Sequence, residues 1–298
     1  MKICVVGGTG HVGTHLCEIL RERGHEVVIL TRGLTSTNLK GYKSIACDSK
    51  DVEAMKKLHT ENFDTIMCFP GCVDVIYKAL ADKVNHIIGC GSLWMLGNPK
   101  MVPTPEITQA ECIVDAGYKR RYALIQEMIA ESKCKFTAIM PPNISGPGKV
   151  PIDFLGDRDV NNHLAHKNGT KIYLPDGPEC LIEPTDAYDI AMLFALCAEQ
   201  PEKAGGQIFN VGTGRSMTAT EFINALSQIF GSKNEIEYVP WKQYRDEISP
   251  SIYHWWHFYA HMSPDITKAK TLVGYKPKYS AVESLERAVK WMYDNKLM

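Results

Sequence analysis

The chain has 298 residues, with 33 basic and 34 acidic side chains and a formal net charge of −1. That length suits one large domain or two sharing a core, and near-neutrality offers no global basic field for nucleic acid. No apolar run approaches the ~18 residues of a membrane span, and the first residues read as strand and glycine loop, not as a secretion signal. The ten scattered cysteines suit free thiols in a reducing cytoplasm.

Lys2 to Val6 is a short β-branched run, followed at once by Gly7-Gly8-Thr9-Gly10-His11-Val12-Gly13. Val12, Leu16, Ile19 and Leu20 then recur with the period of a helix that buries one face, and Gly24 closes it. His25 to Leu30 is a second apolar strand. Strand, glycine turn, helix and strand in this order predict a dinucleotide site. Gly7 allows the turn, Gly10 the approach of a pyrophosphate and Gly13 close packing of helix on sheet. The free N–H groups of the helix end attract the phosphates. The second strand ends in Thr31 and Arg32 where an acid would hold a ribose 2′-hydroxyl. Arg32 therefore favours the 2′-phosphate of NADP, with NAD as the alternative.

Further strands are expected at 43–48, 63–70, 84–90 and 136–140, and helices at 52–59, 73–81 and 116–132. This alternation predicts a doubly wound parallel sheet of the Rossmann type. Ligands on such sheets lie beyond the carboxyl ends of the strands, which places Ser92 well for chemistry. Cys68 and Cys72 lack CxxC spacing and a second pair, so no metal is expected there. His254, His257 and His261 fall on one face if their segment is a helix. The aromatics between Pro250 and Pro264 line a cleft or pack a lobe.

Taken together, these segments resemble the extended short-chain dehydrogenase/reductases of the NAD-dependent epimerase/dehydratase family. The residues that carry the likeness are the glycine loop, Asp48, Ser92 to Gly97, Tyr118, Pro141 to Gly148, Asp186 to Ala191, Phe209 to Gly214, Asp265 to Lys270 and Gly274 to Pro277. The resemblance implies a cofactor site at Gly7, Thr9, Gly10, His11, Val12, Gly13, Arg32, Asp48, Phe69, Pro70, Pro141 and Asn143, with Asp48 against adenine. It implies Ser92 and Tyr118 as catalytic residues. It also implies a dinucleotide-binding domain over 1–148, rejoined by 184–212, with a smaller substrate lobe in the rest of 149–298. The expected activity is oxidoreductase or epimerase/dehydratase chemistry on a small hydroxyl or keto compound. The expected location is cytoplasmic, without nucleic acid or membrane partners, and a homodimer is left open.

Two positions depart from the family pattern. The lysine that lowers the tyrosine pKa one helical turn on is replaced by Tyr122, while Lys119, Arg120 and Arg121 are expected to point off the face that Tyr118 and Tyr122 share. A cation from elsewhere replaces it, or the substrate ionises easily or meets Tyr118 as an acid, or hydride chemistry has been lost and the chain is an NADP-binding regulatory protein. Met140 and Ile182 stand where sugar-nucleotide enzymes of the family often carry arginines for the diphosphate, so a substrate other than a sugar nucleotide is expected.

Overall fold

The computed structural model describes residues 1–32, 41–69, 71–107 and 110–298. Strand β1 (Lys2–Val6), helix α1 (His11–Glu22), β2 (Glu26–Thr31), β3 (Lys43–Ala46), α2 (Val52–Lys56), β4 (Thr65–Cys68), α3 (Val73–Leu80), β5 (His86–Cys90), α4 (Ala116–Glu131) and β6 (Lys135–Met140) follow the predicted order. Then come β7 (Asn143–Ser145), α5 (Val160–Lys167), β8 (Ile172–Pro175), β9 (Leu181–Ile182), β10 (Pro184–Asp186), α6 (Ala187–Glu199), α7 (Pro201–Ala204) and β11 (Ile208–Asn210). The chain ends with β12 (Met217–Thr218), α8 (Ala219–Phe230), β13 (Ile236–Val239), α9 (Trp241–Gln243), α10 (Ile252–Trp255), α11 (Thr267–Val273) and α12 (Ala281–Asp294).

Seven parallel strands form the central sheet in the order β11-β6-β5-β4-β1-β2-β3. This is the doubly wound arrangement that alternating strands and helices require, with apolar side chains buried on both faces. One face is covered by α1, α6 and α11, through Leu16, Leu20, Ile190, Phe194 and Val273. The other is covered by α2, α3 and α4, through Met55, Ile76, Leu80, Ile125 and Met128. Strand order reverses between β1 and β4, so the crevice for a ligand opens between the loops that leave those two strands.

The segment that returns to the sheet is α6 to β11. Its helix is apolar almost all round and buried against α1, as a helix between layers must be. A further piece comes back as well: Ile266, Ala269, Val273 and Tyr275 join the core beneath α1 and α6. Of the remaining carboxyl-terminal elements, α12 packs on β7, β10 and α8, while β8 and β13 form a parallel pair, and Trp255, Trp256, Phe258 and Tyr244 are buried. Of the two readings of the 250–264 aromatics, packing accounts for these buried rings, while Tyr253 and Tyr259 stay exposed. Capping boxes start α8 (Thr218 with Glu221) and α12 (Ser280 with Glu283), each satisfying two otherwise orphaned backbone donors.

Candidate active site

The nucleotide end is built by one local stretch. Gly7 has φ +86°, a left-handed conformation that glycine adopts without strain. A Cβ on Gly13 would lie 2.2 Å from the Gly7 carbonyl oxygen, so only glycine lets α1 start against the loop. Gly8 is constrained too, its Cβ position 2.9 Å from Cys17 Sγ, a constraint not apparent from spacing. Gly10 precedes the first turn of α1, and its N–H donates to Gly7 O at 2.9 Å. Val12 and Gly13 are buried in the core, so their backbones alone can face a phosphate. The His11 side chain turns away: its Nε2 lies 3.2 Å from Gly146 O, and His15 makes the matching contact with Pro147 O at 3.1 Å. The two imidazoles tie the start of α1 to the Pro141–Gly148 loop. Burial, with Arg158 nearby, lowers the His11 pKa to about 4, so the ring is neutral.

Gly7, Thr9, Arg32, Asp48 and Phe69 line one cavity of about 310 Å³, together with Thr31, Ser49 and Lys50. Arg32 is exposed at the end of β2, and Asp48 Oδ1 accepts the Lys50 N–H at 3.0 Å. Pro70 lies outside the described residues.

The opposite end is assembled from distant segments. Ser92 follows β5, and its Oγ accepts the Trp94 N–H at 3.3 Å. Leu93 N–H donates to Pro141 O at 3.0 Å, which joins the Ser92 turn to the loop after β6. The Trp94 ring meets Tyr118 edge-on at 5.6 Å. Tyr118 stands on the first turn of α4, whose start is capped by Asp115 through the Gly117 N–H at 2.7 Å.

Two expectations about this end need correction. Arg121 does not point off the Tyr118 face: its guanidinium lies 5.0 Å from the centre of the Tyr118 ring, because residues three apart are neighbours on a helix. Tyr118 and Tyr122, four apart on one face of α4, differ in burial. Tyr122 is buried, donating its O–H to Glu106 O at 3.2 Å, whereas Tyr118 is partly exposed beside Trp94. Burial raises the Tyr118 pKa, and Arg121 opposes the rise. Nor do the three histidines share a helical face. The α-helix stops at Trp255 and a tighter 3₁₀ turn follows. Each ring then takes its own partner: His254 lies 3.5 Å from Asp157, His257 accepts from Asn143 at 2.8 Å, and His261 accepts the Leu181 N–H at 3.1 Å.

His257 and Trp94 are site residues whose roles spacing does not reveal. His257 is 114 positions from Asn143, and only folding brings them together. Arg158 also enters the region, donating to Val150 O at 2.6 Å and Ile144 O at 2.8 Å. Among the described residues, no cluster of His, Cys, Asp and Glu has metal-binding geometry, and no helix is long and apolar enough to cross a membrane.

The chain is similar to several known proteins. Residues 3–87 match the model of the NAD dependent epimerase/dehydratase family. The chain is 27% identical to the chloroplast stem-loop binding protein of 41 kDa b of Arabidopsis thaliana, over 95% of this chain and 77% of that protein. It is 24% identical to UDP-arabinose 4-epimerase 1 of the same plant, over 97% of this chain and 78% of the relative. The solved UDP-glucose 4-epimerase of Bifidobacterium longum, in complex with NAD+ and UDP, superposes with a TM-score of 0.77 at 18% identity, covering 100% of this chain and 99% of that one. The glycine loop and the seven-stranded parallel sheet agree with these likenesses: the amino-terminal part of the chain is similar to the NAD dependent epimerase/dehydratase family, and the whole chain shares the fold of the solved epimerase.

Proposed function

We propose that the chain is an oxidoreductase or epimerase that moves a hydride between a nicotinamide and a hydroxyl-bearing or keto carbon. The observation that carries this reading is the meeting of Tyr118 with the Ser92–Trp94 turn, itself bonded to the Pro141 loop, at the carboxyl ends of β5 and β6. A bound nicotinamide would accept or return the hydride. Tyr118 Oη takes the hydroxyl proton in the oxidative direction and gives it back in the reverse. Ser92 Oγ accepts from Trp94, which leaves its own O–H to donate to the substrate oxygen. Arg121, above the Tyr118 ring, is the cation that stands in for the missing lysine.

The glycine cradle and the adjoining cavity fit an adenine dinucleotide. NADP is our reading, because Arg32 and Lys50 both border the cavity; NAD is the alternative. Calorimetric titration with both cofactors tests it: tighter NAD binding, or unchanged preference in Arg32→Ala, overturns the Arg32 role. In this reading residues 1–148 with 184–212 hold the cofactor and most of the remainder shapes the substrate pocket. The ten free cysteines suit a cytoplasmic location.

For the substrate, a small hydroxyl or keto compound without a nucleotide is favoured by Met140 and Ile182, both buried and apolar. A sugar nucleotide is the second reading. It draws on relatives named for UDP-sugars and on Lys149, which lies beside Arg158 and has no acidic partner among the described residues. A screen of free sugars, aldehydes, ketones and UDP-sugars, followed by nicotinamide absorbance and by product analysis for epimers, separates the two. No turnover across the screen would leave the chain as a cofactor-binding regulatory protein.

A further inference from the structure

His257 belongs to none of the family motifs, yet it packs beside the Trp94–Tyr118 pair. Its ring packs on Trp94 with centroids 5.0 Å apart, and Trp94 packs in turn on Tyr118. Its Nδ1 lies 2.8 Å from Asn143 Nδ2. The direction of that bond is set one step further back. Asn143 Oδ1 lies 3.2 Å from the backbone nitrogen of Glu183, which can only donate. The Asn143 oxygen must therefore face Glu183, and its NH₂ must face His257. His257 Nδ1 is then an acceptor, and the proton of the neutral ring sits on Nε2. Among the described residues the His257 ring makes its hydrogen bond through Nδ1 and none through Nε2, and the residue is only partly buried. The charged or titratable groups facing the ring, Arg158 and His254, are both basic. They add to burial in keeping the imidazole neutral.

We propose that His257 is a substrate-positioning residue whose Nε2–H, oriented by Asn143 and the Glu183 backbone, donates an uncharged hydrogen bond to a hydroxyl or carbonyl oxygen of the substrate beside Trp94. The proposal rests on the reading of this region as the active site. The ring cannot serve as a base, since Nδ1 is occupied and Nε2 already carries its proton. It selects for an acceptor oxygen and against a deoxy or ammonium group at that position, because a site built to hydrogen-bond loses that bond with the wrong group.

Nitrogen NMR of the full chain, histidine-labelled and saturated with its nicotinamide cofactor, reads the tautomer directly, with His257→Gln identifying the signal. The expected result at neutral pH is a neutral ring protonated on Nε2; an Nδ1–H ring or an imidazolium overturns the proposal. Kinetics on a compound turned over in the screen read the function. His257→Phe is expected to raise KM about tenfold with kcat little changed, the signature of lost uniform binding. His257→Gln, which can offer an amide N–H, is expected to recover most of the loss, while cofactor affinity stays level in all three proteins. Equal losses in the two variants overturn the donor role. If the unaltered chain turns over nothing, the active-site reading falls and the substrate bond falls with it, whereas the tautomer result still decides the Glu183–Asn143–His257 relay.

Discussion

The two ends of the candidate site are made in different ways. At the nucleotide end, β1, the glycine loop and α1 are contiguous, and the steric demands fall on backbone atoms a few residues apart, as between Gly13 and Gly7. At the substrate end, Ser92, Tyr118, Asn143 and His257 come from four separate segments, held by ring contacts and single hydrogen bonds. A local site is protected by chain connectivity. A dispersed one depends on every element reaching its place, so substitutions at the two ends are expected to fail differently.

The largest effect is expected at the dispersed end. Tyr118→Phe removes only an oxygen. It should lower turnover at least about tenfold, and up to about 10⁴-fold if the phenol carries the full general acid–base contribution, with cofactor affinity unchanged by calorimetry. Full activity in this variant would refute the assignment. Gly13→Ala attacks the local end instead. With its Cβ 2.2 Å from a backbone oxygen, it is expected to cost about 1–3 kcal/mol of stability by overpacking and to weaken cofactor binding. A thermal melt and a titration check both.

Acid sharpens the contrast, because neutral histidines link the ends. His11 and His257 are held near about 4 and about 3, and His86 and His166, in other parts of the core, near about 4. Folded values below the unfolded value of about 6.5 mean that the unfolded chain binds more protons between those limits. Stability from these groups is complete above about pH 6.5 and is lost as pH falls toward 4, by about 1.4 kcal/mol per pH unit for each histidine in the steep region. Asp189, raised by burial to about 6, and Glu183, also raised by burial, work the other way, since their folded forms hold protons that the unfolded forms release. Two such carboxyls oppose these four imidazoles, which are joined by His163 and His261, also lowered by burial, so the urea midpoint should fall between pH 7 and 5; a flat profile would show these rings to be exposed to protons.

Smaller effects test Arg121 against Tyr122. Arg121→Leu takes the cation off the Tyr118 ring and should move the basic limb of the pH–rate profile upward. An unmoved limb would mean that Arg121 does not replace the lysine. Tyr122→Phe loses one hydrogen bond to Glu106 O, expected to cost about 0.5–1.5 kcal/mol in a melt, with little change in rate.

Much of this molecule was determined by its sequence alone. Periodicity placed β1, α1 and the alternation that makes the doubly wound sheet, because helix and strand periods are local properties of the backbone. The glycine loop was readable for the same reason: its turn and close contacts are satisfied within a short stretch. Tertiary structure alone decided that Arg121 covers Tyr118 while Tyr122 turns into the core, that a 3₁₀ turn separates the three histidines, and that Asn143 meets His257. Those outcomes depend on which side of an element faces the core and on contacts across more than a hundred residues. Packing sets both, and no spacing in the chain records them.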